Sequence, residues 1–157
     1  EKIMGITSSL VNSFKAELLK GLHSFDTSGA TPAGSVFKIA LYSNSTTIDT
    51  TTTAYGGPSN ELAATGGYTS GGNTLTNTGV GTTTVTSFTD FSDTSWTSAS
   101  FTARGCLIYN SSTITGLTTN AAVCGITFGG DKTVSSGTFT IQFPTNDASD
   151  AIIRLTS

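Results

Sequence analysis

The sequence predicts an all-β fold, an antiparallel β-sandwich of jelly-roll or immunoglobulin-like type with one N-terminal amphipathic helix. Three observations predict it. Charged residues make up only 11% of the chain, against about 25% in an ordinary globular protein, and Thr, Ser and Gly take their place. Thr is β-branched and packs well on a pleated surface, so this composition favours strands over exposed helices. Short apolar-alternating runs separated by turn formers recur along the chain, and a helical period is present only at the start. A length of 157 residues suits one domain, residues 1–157, with a core of its own.

The helical segment is expected from about Ser9 to Lys20. Leu10, Phe14 and Leu18 recur at four-residue spacing, and Val11 and Leu19 widen the stripe. Ser8 or Ser9 can cap the start, Gly21 can close the end, and Lys20 suits the negative pole. So short a helix needs its apolar face covered, by the domain's own sheet or by a neighbouring subunit. Ahead of it, Met4–Gly5 reads as a natural start and Glu1–Ile3 as an extension.

A Thr27–Ser35 loop with Pro32 and Gly34 leads into a strand at Val36–Ser43, where Phe37, Ile39 and Leu41 alternate with Lys38, Ala40 and Tyr42. That alternation predicts one buried face. Residues 44–72 form a long Thr/Gly-rich loop, with Gly56, Gly57, Pro58, Gly66, Gly67, Gly71 and Gly72. Long loops in compact domains are usually functional, which makes this one the candidate contact surface. Its Tyr55 and Tyr68 offer large rings with a polar tip; the alternative is that they cover the domain's own sheet. Leu10, Phe14 and Leu18 are the other candidate contact residues.

Strands are then expected at Thr74–Thr78, Thr82–Phe88, Ser95–Phe101, Thr102–Tyr109, Ala121–Phe128, Gly137–Phe143 and Ala151–Thr156. In the clearest, Phe139, Ile141 and Phe143 oppose Thr138, Thr140 and Gln142, and Pro144 ends the run. Strands in series without intervening helices favour an antiparallel sandwich or barrel. Trp96, near Phe88 and Phe91, reads as core rather than as a sugar platform. Cys106 and Cys124 share their parity with apolar residues and read as reduced core thiols, with a bridge as the alternative.

A net charge of −3 and seven scattered basic residues argue against nucleic-acid binding. No run approaches the roughly 20 apolar residues of a membrane span, and no signal peptide pattern is present, so the chain is expected to be soluble and made in the cytoplasm. His23 stands alone, without the strand–Gly-x-Ser-x-Gly–helix context of a hydrolase, and reads as a surface or helix-terminal residue. One His and two separated Cys do not supply zinc spacing. The pairs Asp90/Asp93 and Asp147/Asp150 match no calcium loop and read as turn acceptors. GGYTSGG lacks the Lys-Ser/Thr of a phosphate loop. No enzyme activity, cofactor or metal is expected.

The stretches SLVNSFKAELLKGLHSF, FKIALYS, DTTTTAYGG, NELAATGGYTSGGNTLT, WTSASFTARGCLIYN, FGGDKTVSSGTFTIQFP and AIIRL, in this order, resemble a family of small tailed-bacteriophage virion structural proteins. The resemblance runs from Met4 over most of the chain. It implies a virion component, with the major capsid protein or other virion proteins as partners, and carries over no active-site motif. The leading expectation is a head decoration or cement protein clamping capsid subunits, as a homo-oligomer with a trimer favoured. The alternative is a tail, fibre or baseplate module binding a host receptor or glycan through Tyr55, Tyr68 and Trp96. If the strand assignments hold, Phe37→Ala or Phe139→Ala should cost about 3–5 kcal/mol in urea unfolding.

Overall fold

A computed structural model describes residues 5–29 and 34–157. Positions 1–4, with the expected start at Met4, and positions 30–33, with Pro32 of the predicted loop, lie outside the described residues. The fold is an all-β antiparallel sandwich with one N-terminal helix, as the composition predicted.

The chain opens with a two-residue strand, β1 (Ser9–Leu10), and then α1 (Asn12–Leu19). The helix is therefore shorter than the predicted Ser9–Lys20. Its first residues are claimed by the sheet, because Ser9 and Leu10 pair with Gly125 and Cys124. Val11 becomes the N-cap, without a side-chain cap bond, so neither Ser8 nor Ser9 plays the predicted role. The end is as predicted: Gly21 takes φ +72°, its N–H donates to the Leu18 carbonyl, and Leu22 N–H donates to that of Glu17. Val11 and Phe14 are fully buried, whereas Leu19 is 91% exposed and drops out of the stripe.

β2 (Phe37–Tyr42) lies between β6 (Thr94–Asn110) on one side and β3 (Asn73–Thr74) on the other. Both its faces are buried from Ile39 to Tyr42, which corrects the expectation of a single buried face. β7 (Ala121–Ile141) pairs with β6 and then with β1, giving a five-stranded sheet in the order β1-β7-β6-β2-β3. The second sheet is β4 (Asn77–Thr82), β5 (Thr86–Phe91) and β8 (Ile153–Thr156), in the order β4-β5-β8. Every ladder is antiparallel.

Four of the predicted strands merge into two. Ser95–Phe101 and Thr102–Tyr109 are both part of β6, while Ala121–Phe128 and most of Gly137–Phe143 belong to β7. The expected gap between the latter two, residues 129–136, lies within β7, and a bulge falls at its start: β7 uses five steps, Thr127 to Lys132, where β6 uses two, Gly105 to Ala103. The bulge bends the ribbon. Phe128 and Phe139 are eleven positions apart, about 36 Å along a straight strand, yet their ring centroids are 6.1 Å apart. In the second sheet, the predicted Thr82–Phe88 strand straddles the turn between β4 and β5, where Thr83 N–H donates to the Thr86 carbonyl.

Aromatic rings join the layers. Phe37 stacks on Phe25 at 4.4 Å and meets Phe91 of β5 at 5.5 Å, and Phe91 in turn meets Phe143 at 5.8 Å. Phe37 is buried, whereas Phe139 is only half-buried beside an open groove. The two truncations should therefore separate: Phe37→Ala at about 3–5 kcal/mol and Phe139→Ala at about half of that, read from urea midpoints at constant slope. Equal costs would mean that the groove is closed in solution.

Candidate functional site

The long loop is held down by one carboxylate. Glu61 accepts hydrogen bonds from Tyr55 Oη at 2.6 Å, Tyr68 Oη at 2.7 Å, Gly71 N–H at 2.6 Å and Ser70 Oγ at 3.3 Å. It is the only acidic residue between Asp49 and Asp90, which is the signal that could have singled it out in the sequence. Tyr68 Oη also accepts from Leu41 N–H of β2 at 3.0 Å, and Tyr109 Oη donates to the Gly71 carbonyl at 2.8 Å. Tyr55 stacks on Tyr109 at 4.6 Å. Burial first, and the Glu61 carboxylate after it, push the Tyr42, Tyr55 and Tyr68 phenols above the ordinary tyrosine range. They act as neutral hydrogen-bonding rings.

The glycines of GGYTSGG let this loop lie close to the sheet. At Gly66 (φ +57°) a Cβ would strike the Ser100 carbonyl of β6, and at Gly72 (φ +68°) the Ile39 carbonyl of β2. Residues 44–72 thus cover the second face of β2, which explains why that strand is buried on both sides. For Tyr68 the expected contact surface is corrected to cover of the domain's own sheet, while Tyr55 keeps part of its surface exposed. Tyr68 is 3% exposed and Tyr55 is half-buried against Tyr109.

The helical candidates divide. Phe14 is fully buried against His23 and Phe25, so it offers nothing to a partner. Leu10, on β1 rather than on the helix, lines an open groove of about 740 Å³ together with Ile126, Phe128, Phe139, Ile141 and Phe143. Leu18 lines a second groove, about 370 Å³, between the segment after α1 and the β4-β5-β8 sheet; Phe25, Val80, Phe88 and Leu155 also border it. Val80, Val85 and Leu155 are each more than half exposed. Val80 and Val85 lie in Thr/Gly-rich runs without a clear apolar face, and Leu155 closes an apolar run whose exposed side no local pattern marks.

The remaining polar candidates have structural partners. His23 is buried, not superficial: its Nε2 lies 3.1 Å from Glu17 Oε2 and its Nδ1 3.0 Å from Asn110 Nδ2. Asp90, fully buried, accepts from Phe91 N–H and Ile152 N–H, and burial raises its pKa. Asp93 accepts from Phe143 N–H, and Asp147 from Ser149 N–H and Asp150 N–H. Trp96 is 4% exposed, in the core as predicted. Cys106 and Cys124 are free and buried; burial, then the Asp90 charge, leaves the Cys124 thiol pushed up to about 12. Among the described residues no group of three His, Cys, Asp or Glu side chains could hold a metal ion, and no helix is long and apolar enough to cross a membrane.

Compared with known protein families, curated proteins and solved structures, the chain matches none. The surface itself therefore carries the functional reading, and the two grooves are prominent apolar parts of it among the described residues. The loop that covers β2 has a direct test. Glu61→Ala should cost about 2–3 kcal/mol in urea unfolding, since it strands donors that a charged acceptor now satisfies. A cost under about 0.5 kcal/mol would mean that the rings alone hold the loop.

Proposed function

We propose that this chain is a structural module of a bacteriophage virion that works through protein–protein contacts, with decoration of the outer capsid surface as its leading role. The carrying observation is the apolar surface left open on a sandwich of low charge: two grooves, with Val80 and Leu155 lining the second, and Leu19 and Val85 exposed besides. Monomeric proteins rarely keep such patches unless something docks there. The family resemblance of the ordered sequence stretches supplies the virion setting. A rigid β module with few charges suits repeated attachment to a lattice, where many weak contacts add through avidity.

The glycan-binding alternative draws less support. Sugar stacking needs exposed aromatic faces, and Tyr68 and Trp96 are both buried.

Quantitative mass spectrometry of purified particles tests the role through the copy number of this chain relative to the major capsid protein. A near-stoichiometric value is expected. A few copies to a few dozen would favour the tail, and absence would end the virion reading. Replacing Val80 and Leu155 together by Lys should weaken attachment to stripped heads by about tenfold or more if the second groove is the contact. Unchanged attachment by a folded variant would move the contact elsewhere.

A further inference from the structure

His23, Glu17 and Asn110 form a buried relay whose hydrogen bonds allow only one protonation pattern. Asn110 is fully buried, and its Oδ1 accepts from Ser112 N–H at 2.9 Å. That bond orients the carboxamide so that its NH₂ group faces His23 Nδ1 at 3.0 Å. An NH₂ group can only donate, so Nδ1 must be the bare acceptor. The single ring proton then lies on Nε2 and points at the Glu17 carboxylate, 3.1 Å away. Phe14 closes one side of the imidazole at 4.8 Å, and Phe37 lies parallel to it at 6.4 Å.

We propose that His23 is a proton-operated latch, closed when neutral, that ties α1 and the first turn after β6 to the start of β2. A second proton has one place to go, Nδ1, where it would meet the Asn110 NH₂ group donor to donor. Relief requires either the imidazole to withdraw or the carboxamide to rotate by half a turn, and rotation takes the acceptor away from Ser112 N–H. Ser112 is itself a pin: its Oγ accepts from Val36 N–H at 2.7 Å, and the adjoining Ser111 N–H donates to the Val36 carbonyl at 2.8 Å. Protonation of one ring thus loosens the 111–112 turn and the entry to β2, while the Nε2–H bond to Glu17 becomes charge-assisted and stays.

The surrounding charges set the direction. Glu17, from α1, is buried and attracts the proton. Asp26, in the segment after α1, is engaged by Ser28 N–H and Ser28 Oγ. β2 and β6 present Phe37 and Asn110, and the β4-β5-β8 sheet presents Ser87 and Thr89 across the groove, all uncharged. Burial outweighs the attraction of Glu17 and lowers the His23 pKa below 6.5. A pKa depressed on folding means that the unfolded chain takes the proton first. The stabilising neutral latch is complete above about pH 6.5 and is lost as pH falls through the lowered folded value.

Nuclear magnetic resonance of the full chain tests the latch in two ways. At pH 7.5 the imidazole nitrogen pattern should be that of the Nε2–H tautomer; an Nδ1–H tautomer would overturn the proposal, and this reading needs no variant. Between pH 7.5 and 5, hydrogen-exchange protection at Ser111 and Ser112, corrected for intrinsic rates, should fall by about tenfold or more. Protection at Leu62, which donates to Leu41 on the other side of β2, should hold. In His23→Gln the acid loss at Ser111 and Ser112 should disappear. If that variant does not fold, Asn110→Asp places an acceptor opposite Nδ1 and should reverse the trend. An equal acid loss in either folded variant would show that His23 is not the switch.

Discussion

The structure depends on covering β2 from both sides. A strand between two neighbours, with Ile39, Ala40, Leu41 and Tyr42 all withdrawn from water, needs an apolar layer above and another below. On one side, Phe37 meets Phe25 and, through Phe91, the second sheet. On the other the described residues form no third sheet, and the 44–72 loop does the covering, fixed by Tyr68 to β2 and by Glu61 to itself. An irregular segment can serve as a layer because the polar groups it brings are satisfied locally. Four donors converge on one carboxylate, and the glycines bring backbone against backbone.

The same need explains which parts of the molecule remain open. α1 and the 22–26 segment close only part of the gap toward β4-β5-β8, leaving Val80 and Leu155 at the rim. At the other end, β7 bends at Gly129 and sets Phe139, Ile141 and Phe143 opposite Ile126 and Phe128, with a groove between. These are the places where the described residues do not complete the layers, and the proposed contacts fall there.

Much of the fold was legible in the sequence because its signals were local. The alternation of Phe37, Ile39 and Leu41 marked β2, and Gly21 marked the end of α1. What escaped was set by distant parts of the chain. Ser9 and Leu10 carried a helical period but were recruited by Gly125 and Cys124, more than a hundred positions away. Gly129–Gly130–Asp131 has the composition of a hairpin turn, and no local feature separates a turn from a bulge that continues the ladder. Of the candidate contact residues, Leu10 and Leu18 line the grooves, whereas Tyr68 and Phe14 are buried, since a large apolar side chain suits a core and an interface equally. His23 looked solitary because Asn110 lies 87 positions further on.

The scarcity of charge has a thermodynamic consequence for any assembly seated on the grooves. Among the described residues Arg104 and Asp131 form a partly exposed ion pair at 3.5 Å, whereas the buried His23–Glu17 contact joins a neutral ring to a carboxylate. Counterions would have little to screen, so association through these faces should tolerate high ionic strength. Salting-out anions would tighten it, and cooling would loosen it as apolar hydration becomes less costly. Such an assembly would be secure in brine and weakest near freezing, the reverse of one clamped by lysines and carboxylates.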